Sequence, residues 1–186
     1  IKVSNLIDTL TYACEKFYKD KPKNIIAVTG TNGKSSVADF FCQILENNNK
    51  PVASIGTLGI KRKNYFKKTN LTSLDIISLH QELFNLKKLG INNVIVEASS
   101  HGLDQGRLNG INFKAGIFTN FSQDHLDYHN NMKNYFDAKM ILFTKLLNKK
   151  KFVILDDEIN EFSKIKKIIE RNKLKLLKIN KKSLRG

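Results

Sequence analysis

The chain has 186 residues, 41% of them hydrophobic and 26% charged, which is the composition of a soluble globular domain of ordinary size. No apolar run approaches the roughly 18 residues that span a bilayer, and the first residues (IKVSNLIDTL) lack the apolar core and cleavage site of a signal peptide. The formal charge of +15 raises a nucleic-acid reading, but the lysines are scattered among asparagines ("NNNK", "NNMKN", "LNKKK") and no aromatic–basic stacking motif accompanies Arg62, Arg107, Arg171 and Arg185, so no dedicated nucleic-acid partner is expected.

Residues 4–18 carry Leu6, Leu10, Cys14 and Phe17 at helical spacing and predict an amphipathic helix. "NIIAVTG" is a short β-branched run ending in glycine, a buried strand. A helix is predicted from Lys34 to Asn48 on the pattern Val37, Phe40, Phe41, Ile44, Leu45. "PVASIGTLGI" reads as a second strand region and "KRKNYFKKT" as a polar, exposed excursion. Helix 73–89 closes at Gly90, and "NNVIVEASS" and "FKAGIFTNF" are the next strands. Helix 132–147, strand "KFVIL", helix 157–172 and strand "KLKLLKIN" complete the chain. This alternation predicts an α/β fold with a doubly wound, mostly parallel sheet. Cys14 and Cys42 have no metal-ligand spacing around them and are expected to be buried free thiols.

"VTGTNGKSS" (28–36) lies where a phosphate loop belongs, between a strand and a helix, although Val28 replaces the usual first glycine and Gly30 stands two residues later. In such a loop the backbone N–H groups and the helix N-terminus surround phosphates, Lys34 reaches the β- and γ-phosphates, and Ser35 serves Mg²⁺. Glu97 ends a buried strand, where ligands of open α/β sheets bind; it suits a nucleotide's Mg²⁺, or is simply a surface carboxylate. "FTNFSQDHLDYH" gathers Asp124, His125, Asp127 and His129 without a zinc signature. Either it serves a metal or phosphate, or Ser122 caps a helix with Asp124 in its first turn. Lys139 lies at the edge of an apolar helix face beside Tyr135, Met140 and Phe143, a position that also suits a snorkelling lysine.

Together these segments resemble the Mur ligases, and the MurE type above its sisters. Residues 29–36 match that family's T-G-T-N-G-K-[ST]-[ST] loop throughout. "VEASSHGLDQGR", "FTNFSQDHLDYH" and "YFDAKMILF" follow in family order, so that the likeness runs from about residue 3 to residue 155. The resemblance implies that Thr29, Gly30, Thr31, Asn32, Gly33, Lys34, Ser35 and Ser36 bind ATP, and that Ser35, Glu97, His125 and Lys139 serve Mg²⁺. Lys139 falls at the family's carbamylated lysine; Lys34, Lys139 and His125 are the expected catalytic set. Asn70, Thr72, Ser99, Gln105 and Arg107 fall at positions contacting the UDP-MurNAc-dipeptide, while Leu71 replaces a family threonine, so that one contact lacks its hydroxyl and is left to the neighbouring backbone N–H.

The implied protein is a cytoplasmic, monomeric peptidoglycan-synthesis ligase that joins a diamino acid, meso-diaminopimelate or L-lysine, to UDP-MurNAc-L-Ala-D-Glu through an acyl phosphate. Residues 1–20 would be the junction helix from an N-terminal UDP-binding domain, and residues 21–186 a truncated central ATPase domain, with the amino-acid-binding C-terminal domain absent. A folylpolyglutamate-synthase-like ligase and a catalytically silent nucleotide-binding fragment are the alternatives.

Overall fold

A computed structural model describes residues 4–180; the outer parts of both predicted segments, 1–3 and 181–186, lie outside the described residues. The chain runs α1 (Leu6–Phe17), β1 (Asn24–Thr29), α2 (Lys34–Asn47), β2 (Val52–Gly56), β3 (Gly59–Arg62), β4 (Tyr65–Lys67), α3 (Ile76–Lys88), β5 (Asn93–Glu97) and α4 (Ser100–Asp104). It continues through β6 (Ala115–Phe118), α5 (Leu126–His129), α6 (Met132–Ile141), a π-helical stretch (Leu142–Leu146), β7 (Phe152–Asp156), α7 (Phe162–Arg171) and β8 (Lys175–Ile179). The strands form one sheet in the order β4-β3-β2-β5-β1-β6-β7-β8. From β2 to β8 every neighbouring pair is parallel, and β3 pairs antiparallel with both β2 and β4. The expected doubly wound, mostly parallel α/β architecture is what the chain adopts.

Strand alternation sorts the core into two layers. Ile25, Ala27, Val94 and Val96 face the large cluster built with Leu79, Leu83 and Leu86 of α3, Met140 of α6, Phe143, and Ile165 and Ile169 of α7. Val28 and Ile95 face the other way, onto Ala38 of α2. The connection after β1 therefore leaves on the α2 side, and that after its neighbour β5 leads through α4 toward the opposite layer. A crevice opens at the carboxyl ends of such adjacent strands, and residues 30–33 and Glu97 both lie there.

Several boundaries differ from those expected, each for a local reason. "PVASIGTLGI" is not one strand: Thr57 and Leu58 turn the chain, and Gly56 pairs with Gly59 across a hairpin. Gly59 has φ +101°, and a Cβ there would lie 2.4 Å from the Lys67 carbonyl oxygen. The "polar excursion" is thus paired backbone, β3 with β4, although Tyr65 and Phe66 remain exposed. In α1 the docked stripe is Ile7, Leu10, Thr11, Cys14 and Tyr18, so Leu6 and Phe17 point outward; Tyr18 meets Phe84 of α3 at 5.8 Å. Phe40 and Ile44 of α2 are likewise exposed. Helix α3 starts at Ile76, because Asp75 accepts the Ser78 N–H as its cap. Helix 132–147 is α-helical only to Ile141 and continues as the π-helical stretch. Helix α7 begins at Phe162 rather than 157, and β8, the expected last strand, lies at the sheet edge and is largely exposed. Cys14 is buried, but Cys42 is only half-buried.

Candidate nucleotide and metal site

The turn from β1 into α2 is held in shape by the end of β6. Thr31 N–H donates to the Asn120 carbonyl (2.9 Å), and Asn32 N–H donates to Asn120 Oδ1 (2.9 Å). Thr119 Oγ1 donates to the Asn32 carbonyl at 2.6 Å. Gly30 takes φ +142°, and a Cβ there would lie 1.9 Å from Thr119 Oγ1, so no other residue fits this turn. Thr29 and Thr31 are buried and brace the loop from within, whereas Asn32, Gly33 and Ser36 face solvent at its mouth.

Ser122 does not cap a helix as its sequence suggests. Its N–H donates to Thr31 Oγ1 at 3.0 Å, which also receives the Tyr135 hydroxyl at 3.3 Å. The short helix α5 starts only after His125, which sits in the left-handed region at φ 52°. Helix α2, with Gly33 at its N-cap, has no side chain bonded to its first N–H groups. Those donors and the positive end of the helix are the elements that bind anions.

Lys34 Nζ folds back over the loop, donating to the Thr31 carbonyl at 2.7 Å and the Gly30 carbonyl at 3.1 Å. Burial lowers its pKa, and the charges of Glu97 and Asp124 work against that shift. Beside it Ser35 Oγ donates to Glu97 Oε2 at 3.0 Å. Glu97 is 2% exposed and is gripped from a second side by Thr57, whose N–H donates to Oε1 at 3.2 Å and whose hydroxyl donates to Oε2 at 3.0 Å. Thr57 Oγ1 also meets the Thr72 hydroxyl at 3.1 Å.

Thr57 is the site residue that sequence reading missed. Its signal was the turn hidden inside an apolar run. Gly56 makes the grip possible, since a Cβ there would lie 2.1 Å from Glu97 Oε1 and 2.3 Å from its Cδ. Gly56→Ala is therefore expected to destabilise the chain by about 1–3 kcal/mol, measurable by denaturant unfolding. A cost near zero would show that Glu97 is free to move.

Lys139 is not at the edge of an apolar face. It is 1% exposed, inside the junction of α6 with the loop, and donates to the Gly30 carbonyl at 2.7 Å. The same carbonyl receives Lys34, and the Tyr135 ring lies 4.3 Å from the Lys139 ammonium. Burial, reinforced by the neighbouring Lys34 charge and only partly offset by Asp124, brings the Lys139 pKa down to about 7. Among the described residues no carboxylate forms an ion pair with it, and at that pKa a large share of this amine is neutral near pH 7.

His125 lies outside this knot. It is half-exposed, with Nε2 3.4 Å from Asp124 Oδ2, and meets the Tyr135 ring edge-on at 6.0 Å. Among the described residues no three His, Cys, Asp or Glu side chains come together at metal-binding distance. A hard cation that keeps most of its waters fits the donors present, the Ser35 hydroxyl and the Glu97 carboxylate; a zinc cage does not.

The remaining candidates form a second row along the same edge. Ser99 caps α4, accepting the Gly102 N–H, and is 3.0 Å from Ser73 Oγ. Ser73 Oγ in turn donates to the Glu97 carbonyl at 2.9 Å. Arg107 Nη1 donates to the Ser73 carbonyl at 2.9 Å, and its Nε donates to Gln105 Oε1 at 2.9 Å. Thr72 joins the row through Thr57, whereas Asn70 and Leu71 are exposed beyond it.

Residues 28–185 match the profile of the Mur ligase middle domain. The chain is 44% identical over 181 residues to the UDP-N-acetylmuramoyl-L-alanyl-D-glutamate--2,6-diaminopimelate ligase of Rickettsia bellii (strain RML369-C), covering 95% of this chain and 38% of that protein. It is 45% identical over 140 residues to the ligase of the same name from Brucella melitensis biotype 1, covering 75% of this chain and 29% of the relative. The chain thus spans well under half the length of the curated relatives it matches. A solved structure of a 2,6-diaminopimelate ligase of that name superposes with a TM-score of 0.79 at 31% identity, over 90% of this chain and 34% of the other. An E. coli FolC structure superposes at 0.68 with 15% identity, over 96% of this chain and 47% of that one, a likeness of fold alone. With the profile matching most of its length and relatives above two-fifths identity, the chain belongs to the Mur ligase family.

Proposed function

We propose that this chain is the nucleotide-binding part of an ATP-dependent ligase that joins 2,6-diaminopimelate to UDP-MurNAc-L-Ala-D-Glu in the cytoplasm. The observation that carries the reading is the meeting of Lys34, Ser35, Glu97 and Lys139 around one glycine-rich turn at the carboxyl ends of β1 and β5. The names of the relatives supply the acceptor and the diamino acid.

In this reading the loop N–H groups and the N-terminus of α2 hold the ATP phosphates. Lys34 leaves the Gly30 and Thr31 carbonyls, which it reaches in this structure, for the γ-phosphate, and neutralises charge as the acceptor carboxylate takes that phosphoryl group. Ser35 and Glu97 are the residues that would hold Mg²⁺, and His125 is the residue that would serve a second ion. When bound, Mg²⁺ screens the phosphate charge. Arg107, Gln105, Ser99, Thr72 and Asn70 form the acceptor side, where a planar guanidinium suits an anionic group.

Lys139 is assigned to carbamylation. Its neutral amine adds to CO₂, forming an N–C bond and releasing one proton, and the product is an anion where a cation stood. The lowered pKa supports this, because only the unprotonated amine reacts. An anion there would accept from Lys34 and attract a metal, whereas an ammonium would repel it.

The test is product formation by the ligase at its relatives' full length, given ATP, Mg²⁺, UDP-MurNAc-L-Ala-D-Glu and either diaminopimelate or lysine. The expected result is a tripeptide nucleotide with diaminopimelate, with one ADP and one phosphate released per product. Product with lysine alone would correct the amino acid. No product with either, from a folded enzyme, would overturn the reading.

A further inference from the structure

Arg107 is held by a chain of hydrogen bonds whose polarity is set at its far end. Its Nε donates to Gln105 Oε1 at 2.9 Å, and Nη2 donates to the same oxygen. On the other side of Gln105, Nε2 donates to the Tyr128 hydroxyl oxygen at 3.1 Å. The Tyr128 hydroxyl donates to Asp104 Oδ2 at 2.9 Å.

An ionised carboxylate only accepts, so the single tyrosine proton must point at Asp104. The tyrosine oxygen can then only accept from Gln105. That fixes which end of the amide faces Tyr128 and turns its oxygen toward Arg107. The opposite amide orientation would set an NH₂ group against the guanidinium, donor against donor. With Nη1 on the Ser73 carbonyl and Nε and Nη2 on Gln105, one N–H on each terminal nitrogen stays available as a fork. The Tyr128 ring is itself braced, 4.1 Å from the His101 ring and 4.7 Å from His129.

We infer that Tyr128 and Asp104 are positioning residues for the acceptor nucleotide, orienting Arg107 through Gln105. The inference rests on the reading that Arg107 contacts the acceptor. Neither residue hydrogen-bonds to the loop or to Lys139, and the Tyr128 ring that packs on His101 and His129 is separate from the hydroxyl that bonds Gln105, so the effect of losing the hydroxyl is expected on the acceptor.

The test is steady-state kinetics of the full-length ligase with Tyr128→Phe, which keeps the ring and removes both hydroxyl bonds. The acceptor KM is expected to rise about fivefold, the effect of losing roughly one hydrogen bond, with kcat and the ATP KM within twofold. Asp104→Ala should raise it similarly, because the tyrosine proton is then free to turn. Asp104→Asn, oriented with its carbonyl toward Tyr128, should restore most of the loss. In an Arg107→Ala background Tyr128→Phe should add nothing further.

An unchanged acceptor KM in Tyr128→Phe, while Arg107→Ala raises it, would overturn this inference and leave the function standing. So would a loss spread equally over kcat, the ATP KM and the melting temperature, which marks a structural role. If Arg107→Ala itself leaves the acceptor KM unchanged, the assignment of Arg107 fails and the inference fails with it.

Discussion

Lys139→Met is expected to make the chain more stable at pH 6 and the full-length ligase inactive. The side chain is fully buried, shares a carbonyl with Lys34 and has no ion-pair carboxylate among the described residues. Its pKa of about 7 in the folded state lies below the ordinary lysine value of 10.5. Between those values the unfolded chain holds the proton and the folded chain does not, so stability rises with pH at up to about 1.4 kcal/mol per pH unit. Below pH 7 both states are protonated, and the folded state carries the whole cost of the buried ammonium. Methionine fills a similar volume without charge and should gain about 1–4 kcal/mol at pH 6. The gain should shrink as pH climbs toward 10.5. Urea unfolding of both proteins across this range, in CO₂-free buffer, measures it. A constant difference with pH would show that Lys139 does not titrate as its surroundings dictate. The same substitution removes the amine on which the proposed carbamate would form, and a residue this costly to bury is consistent with use in the site.

Lys34→Ala is expected to lower kcat of the full-length ligase by about a hundred- to a thousandfold, the range for removing one preorganised charge from a developing transition state. A second effect compounds the first. The Lys34 charge is one of the causes that lower the Lys139 pKa. Without it Lys139 holds its proton to higher pH, and less amine is free for CO₂ at pH 7. The variant should therefore recover partially as pH is raised, while the parent enzyme gains less. A loss of tenfold or less would remove Lys34 from the role given to it.

What could be read from sequence was what is contiguous. The turn at 29–36 announces itself because its own residues lie within one strand-to-helix step, although Thr119 and Asn120, which hold its shape, come from the end of β6; the alternation of β-branched runs with helical stripes carries the parallel sheet. Glu97 was visible for the same reason, as the last residue of a buried strand. Thr57 was not, because a two-residue turn between apolar neighbours looks like more strand until Gly56 and Gly59 are seen paired across it. Lys139 illustrates a different limit. Helical periodicity places a residue on a face, but its burial is completed by Gly30, some 109 residues away in the chain. Tyr128 and Asp104 lie inside two of the quoted segments, but nothing in either segment links the two residues, and only the folded chain brings Tyr128 to Asp104 and Gln105. In α1, Leu6 and Phe17 show that periodicity fixes a stripe to within a residue or so: the face that docks on α3 is rotated to Ile7, Leu10 and Cys14.

The most direct test of the central claim is equilibrium binding of a fluorescent ATP analogue to this chain, with and without Mg²⁺, beside Lys34→Ala. The account predicts binding that Mg²⁺ strengthens and that the substitution largely abolishes. A chain shown by circular dichroism to be folded that fails to bind, or that binds equally with Ala at position 34, would contradict it.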